Sequence, residues 1–300
     1  MIIDKLIEKI IKTNNPTVVG LDTKLSYLPE KMTASVKNAA DAAKAIKEFN
    51  FSLIDDLKKI VPAVKVQIAY YEALGIEGLK VFCETCKYAK DNDLIVMADA
   101  KRGDIGSTAD EYADAFLGEN IFGKTEFCSD FLTVNSYLGS DGIKPFVERC
   151  KTFDKGLFVL VKTSNPSSGE LQNLKLEDGK QVYHVVAEIV SKSGIELIGK
   201  YGYSSIGAVV GATHPQEAEI LRKLFPKLFF LVPGYGAQGA KAEDVAVNFD
   251  ANGRGAIVNS SRGILCAYKQ EQYSSLSFTR AAVEAALEMK QALTKYIEIR

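Results

Sequence analysis

The 300-residue chain has no tryptophan and two histidines, His184 and His214. So few imidazoles leave little for multi-histidine metal chemistry, and no metal site is expected. An excess of either charge is missing too: 37 Lys and Arg stand against 38 Asp and Glu, a formal charge of −1. No global field then recruits nucleic acid or an anionic membrane, and any anionic ligand must be held by local charges. No stretch approaches the ~18 consecutive apolar residues of a membrane span. The opening MIIDKLIEKIIKTNN alternates charge with apolar residues at the helical period, so it reads as a surface helix rather than a signal peptide. Five cysteines, an odd count with no secretory signal, point to a reduced cytoplasmic protein. Cys83 and Cys86 have C-x-x-C spacing, but no second pair completes a zinc site, and their helical-period surroundings read as packing.

What is present is ordinary globular material, 47% apolar and 25% charged. Short β-branched runs recur at 17–22, 61–67, 93–99, 130–135, 155–163, 204–211, 227–233 and 254–259. Helical-period segments follow them at 36–59, 70–91, 107–118, 141–151, 180–200, 215–224, 240–249 and 278–297. Continuous apolar strands alternating with helices indicate a parallel sheet covered on both faces. Eight such units predict an α/β fold, a closed (β/α)₈ TIM barrel with an extra N-terminal helix, with an open doubly wound sheet as the alternative. No Ser/Gly-rich or Pro-rich linker divides the chain, so residues 1–300 read as one domain. Two connections, 23–35 and 164–179, exceed the usual length. Both follow strand C-termini, where such a barrel places its site.

The most informative stretch is MADAKRGDIGSTADEYA, residues 97–113. Asp99 and Lys101 end an apolar strand two residues apart and so share a face, the barrel interior if Val96 and Ala98 face outward. Lys65 interrupts another core strand, and lysine is seldom buried unless paired. With Asp104, these residues make an array of two ammoniums and two carboxylates, suited to a carbanion formed beside a proton donor. Ser107 or Thr108 is placed to cap the next helix. Phosphate sites in this architecture lie after strands seven and eight. There PGYGAQGAK offers a glycine-rich turn, and Arg262 in NSSRGI opens a helix with a guanidinium suited to phosphate. No G-x-x-x-x-G-K-S/T loop is present, which argues against ATP-driven phosphoryl transfer. Asn135, ending the fourth strand, reads as site-lining. Tyr70 and Tyr71 read as helix packing, His184 as structural, and Lys24 and His214 as residues near the site without an assigned task.

The run DAKRGDIGSTADEYA, with GLDTK before it and TSNPSSGE, PGYGAQGA and NSSRGIL after it, resembles the orotidine 5′-phosphate decarboxylase family. The longer bacterial-type branch is most similar, from about Leu21 to Leu265. The D-x-K-x-x-D core is shared with related phosphosugar barrels; the run extended through Thr108 is more specific. The resemblance implies conversion of orotidine 5′-monophosphate (OMP) to UMP and CO₂ in pyrimidine biosynthesis, with no metal or organic cofactor. It makes Lys101 the proton donor to pyrimidine C6, Asp99 the carboxylate against the leaving group, and Lys65 the second lysine of the network. Asp104 and Thr108 match a pair contributed across a homodimer interface into the neighbouring site. Asp22 matches the ribose-binding carboxylate, Ser164 the residue that reads the pyrimidine edge, and Ile105 the apolar residue on the leaving-group side. Pro233, Gln238 and Arg262 fall where the family holds base and phosphate. Three other readings stay open: a metal-dependent phosphosugar decarboxylase or epimerase, a Schiff-base aldolase using Lys101 or Lys65, and a noncatalytic nucleotide-binding barrel.

Overall fold

Eight parallel strands close on themselves in a computed structural model that describes residues 1–300 apart from Cys128, Ala237 and Gln238. They are β1 Thr17–Leu21, β2 Ala63–Gln67, β3 Ile95–Arg102, β6 Phe131–Val134, β7 Gly156–Lys162, β8 Ile206–Val210, β9 Phe230–Val232 and β10 Ala256–Ser260. Two further two-residue strands, β4 Glu119–Asn120 and β5 Gly123–Lys124, form a separate antiparallel hairpin. The barrel order is β1-β2-β3-β6-β7-β8-β9-β10 and back to β1, so the open-sheet alternative falls away.

Alternation along the strands sorts their side chains into two layers. Ala63 on β2, Ile95 and Met97 on β3, Phe131 on β6, Phe158 on β7 and Ile257 on β10 fill the interior. The helix Ile2–Thr13 closes the N-terminal end of that interior with Ile2, Ile3, Leu6, Ile7 and Ile10. Val64, Val66, Val96, Ala98, Leu132 and Val134 face outward, in the layer shared with the helices Ala39–Leu57, Gly75–Asp91 and Phe278–Thr294. Both faces are therefore buried, which is why the strands lack polar alternation. The same alternation continues the inward row from Met97 to Asp99 and from Ala63 to Lys65. Polar groups thus top an apolar floor.

Several boundaries differ from the sequence pattern. The segment 70–91 is two helices, Ala69–Glu72 and Gly75–Asp91, broken where Gly75 takes a positive φ of 64°. The segment 180–200 ends as a helix at Ser193 and passes into a 3₁₀ turn, Ile195–Leu197, beyond Gly194. The segment 240–249 is helical only over Ala242–Ala246. Strand β3 runs three residues past Asp99, to Arg102. The hairpin over 119–124 has no β-branched run to announce it. Ser107 and Thr108 lie inside the helix Gly106–Leu117, whose first turn has no side-chain cap. Among the described residues, no helix is long and apolar enough to cross a membrane.

Candidate active site

Asp99 is the hub of the barrel mouth. Its Oδ2 accepts from Lys65 Nζ at 2.8 Å and its Oδ1 from Lys101 Nζ at 2.6 Å. Lys65 Nζ also lies 3.3 Å from Asp22 Oδ1 at the end of β1. Within the chain the array is closed by Asp22, not by Asp104. Its four members carry two charges of each sign. Burial by itself pulls the Lys65 pKa down, but the charges of Asp22 and Asp99 outweigh it and hold that ammonium above the usual lysine range. Burial pushes the Asp99 carboxyl up, and Lys65 and Lys101 outweigh it in turn, holding the carboxyl well below its usual range. Asp99 is thus ionised throughout the neutral range.

Lys101 reaches Asp99 by a route that simple strand alternation misses. The β3–β6 ladder slips between Ala98 and Arg102, and Lys101 takes a left-handed φ of 47°. Such a conformation is strained for lysine and persists only when neighbours over-determine it. Thr133 on β6 supplies that constraint: its Oγ1 accepts the Lys101 N–H at 3.0 Å and donates to Asp99 Oδ1 at 2.8 Å. The bulge sends Arg102 the other way, to Glu72 at 2.7 Å.

Two cavities meet at the array, and Lys65, Asp99, Lys101 and Pro233 line both. The larger, about 720 Å³, has an apolar wall of Leu160, Leu171, Val182, Val186 and Leu231, with Asn135 and Ser164 among its polar groups. The smaller, about 470 Å³, is lined by Asp22, Tyr27, Tyr70, Asn259, Ser261 and Arg262 among others. Gly20 lets the end of β10 lie this close: a Cβ there would come 2.0 Å from Ser261 Oγ and 2.9 Å from Asn259 Oδ1. Arg262 begins a single helical turn, Arg262–Leu265, and its guanidinium makes no hydrogen bond or ion pair with the described residues. So short a helix has little dipole, and the guanidinium itself carries the attraction for an anion.

The residues singled out in the sequence divide clearly. Asp22, Lys65, Asp99, Lys101, Asn135, Ser164, Pro233 and Arg262 line the joined cavities. Asp104, Ile105 and Thr108 line neither. The Asp104 carboxylate accepts from the Ile105 N–H at 2.8 Å, and Ile105 is 56% exposed. Gln238 lies outside the described residues. Tyr71 packs as expected, and Tyr70 both packs against the core and lines the smaller cavity, 5.3 Å from the Lys24 ammonium to its ring centre. His184 accepts from the Gln181 N–H at 3.2 Å at a helix start, and His214 meets Ser168 at 3.4 Å. Cys83 is half-buried in its helix, and burial pushes its thiol up to about 11. Among the described residues no cluster of three His, Cys, Asp or Glu is placed to hold a metal.

Sequence reading passed over Thr133, Asn259 and Lys162. A lysine in the apolar run GLFVLVKT was a usable signal for Lys162. Nothing local marks Thr133, whose importance depends on what β3 does beside it.

Fold and site together define a (β/α)₈ barrel with a charge-paired lysine–aspartate centre at the C-terminal ends of its strands. The chain belongs to the Orotidine 5'-phosphate decarboxylase / HUMPS family, whose profile matches residues 18–275. It is 44% identical over 295 residues to the orotidine 5'-phosphate decarboxylase of Clostridium kluyveri, covering 98% of each chain. It is 45% identical over 302 residues to that of Caldicellulosiruptor bescii, again over 98% of each. The solved structure of Leishmania donovani OMP decarboxylase superposes with a TM-score of 0.73 at 30% identity, covering 97% of this chain and 98% of the other.

Proposed function

We propose that this chain converts OMP to UMP and CO₂ in pyrimidine biosynthesis, in the cytoplasm, with no metal or organic cofactor. The observation that carries the reading is the array at the junction of the two cavities: an exposed ammonium, Lys101, held 2.6 Å from a buried carboxylate, Asp99. The pyrimidine sits in the larger cavity with its edge at Ser164 and Asn135, and Asp22 takes the ribose hydroxyls. Arg262 holds the phosphate, and Pro233 lines the same cavity.

Loss of CO₂ leaves an electron pair on C6 that the ring cannot readily delocalise. The C6–carboxyl bond breaks, the pair stays on C6, and Lys101 Nζ stabilises it and then donates a proton to it. At ~4 Å and an effective dielectric of about 20, one such charge contact is worth ~4 kcal/mol. That is too little for a large acceleration, so the remainder comes from phosphate binding and positioning. Asp99 serves mainly to aim Lys101. The working unit in this reading is a homodimer, in which Asp104 and Thr108, outside the two joined cavities of their own chain, complete the neighbouring site.

Ultraviolet monitoring of OMP in EDTA tests the reading. Turnover that persists in chelator supports it; turnover abolished by EDTA and restored by a divalent cation favours the metal-dependent alternative. Borohydride with OMP is expected to trap no lysine, whereas a trapped lysine overturns direct protonation. Thr133→Val keeps the volume of a buried side chain while removing both bonds to the array. We expect kcat to fall by about ten- to a hundredfold, Thr133→Ser to recover most of it, and KM to change little. Wild-type kcat in the valine variant would remove Thr133 from the mechanism.

A further inference from the structure

Lys162, the last residue of β7, is fully buried and plays no part in the chemistry above. The β7–β8 ladder slips between Leu160 and Lys162. Leu160 lines the larger cavity, and Lys162 lines neither. Its ammonium donates to Asn173 Oδ1 at 2.9 Å and to Ser168 Oγ at 3.4 Å, and lies 5.8 Å from the Tyr183 ring centre. No carboxylate lies within ion-pair distance of it among the described residues. Burial lowers its pKa, opposed by the more distant Glu217. An ammonium buried among neutral partners is a poor way to gain stability. A positional role accounts for it better.

Ser168 and Asn173 bracket the short helix Gly169–Gln172, which supplies Leu171 and Gln172 to the larger cavity. Gln172 returns to the residue just past β7: its Oε1 accepts the Thr163 N–H at 3.0 Å, and its Nε2 donates to Thr163 Oγ1 at 2.8 Å. The next residue, Ser164, is held from the other side. Its carbonyl accepts from Thr213 Oγ1 at 3.2 Å, and its backbone lies so near Gly211 that a Cβ there would come within 2.8 Å. The wall facing the pyrimidine is therefore fastened from behind by the Lys162 amine together with Gln172 and Thr213.

We propose that Lys162 is a positioning residue for the pyrimidine: through Ser168 and Asn173 it holds the helix Gly169–Gln172 and the Ser164 turn against the larger cavity. The proposal rests on the OMP reading for what occupies that cavity. Its test compares Lys162→Met, Asn173→Ala and the double variant, in kcat and KM for OMP and in tryptic cleavage of the ligand-free chain at the exposed Lys175 and Lys180. Lys162→Met is expected to raise KM by about tenfold or more, with kcat within about threefold of wild type. Asn173→Ala is expected to do less, and the double variant no worse than Lys162→Met, because both changes break one contact. Cleavage is expected to quicken several-fold. Unchanged KM and cleavage in a folded Lys162→Met overturns the proposal, as does strict additivity or a fall in kcat with KM unmoved. If Lys162→Met does not fold, Asn173→Ala at the exposed side of the contact is expected to raise KM by a smaller, few-fold amount and to quicken cleavage, and the absence of both changes overturns the proposal. Should the wild-type chain leave OMP unchanged, the OMP reading fails, and the cleavage rates still decide the role of Lys162.

Discussion

Lys101→Ala is expected to lower kcat by at least about ten-thousand-fold while the protein stays folded. Two separate contributions disappear at once. A positioned proton donor is worth about 10²–10⁴ in rate, and a preorganised charge facing the developing carbanion about 10²–10³. Lys65 has no means of replacing it. That side chain is 4% exposed and is committed to Asp99 and Asp22, whereas Lys101 is 46% exposed and is the ammonium able to meet a ligand. The fold is expected to survive because Asp99 keeps two partners in the variant, Lys65 and Thr133, each at 2.8 Å. Initial rates with OMP and a thermal melt of the variant check both halves. A well-folded Lys101→Ala protein turning over within tenfold of wild type would refute the assignment of the donor.

Arg262→Ala has the second-largest expected effect, and it falls on binding. Among the described residues the guanidinium has no hydrogen-bond or ion-pair partner to leave stranded, so its removal reports mainly on the ligand. Two charge-assisted bonds to phosphate, each worth about 1.5–3 kcal/mol, correspond to roughly 10²–10⁴ in kcat/KM for OMP. Against orotidine, which lacks the phosphate, the variant should match the wild type within a few-fold. Equal losses on the two substrates would show that Arg262 supports the site's structure instead of holding the phosphate. The comparison also tests the proposed mechanism, in which binding energy remote from C6 offsets the cost of placing a carboxylate near Asp99.

Much of this was legible in order along the chain. Eight apolar runs marked eight strands because parallel strands buried on both faces need continuous apolar sequence. Lys65 and Asp99 stood out because charged residues inside such runs are rare without a partner. The place of Tyr70 at the smaller cavity and the contacts of Lys162 were missed for a shared reason. Each residue lies at the end of an element, where periodicity stops predicting direction and the next segment decides what the side chain meets.

The sequence by itself determined the barrel, the strand ends that carry charge and the motifs that place the chain in its family. These follow from local pattern, since apolar periodicity and strand alternation act within a few residues. The tertiary structure alone decided which charges touch. Asp22 rather than Asp104 completes the array within the chain, Thr133 holds Lys101 in a left-handed turn, and Lys162 reaches Ser168 and Asn173 past a slipped register. Bulges and ladder slips reverse the direction of a side chain without leaving a mark in composition. They are set by the neighbouring strand, which lies far away in sequence.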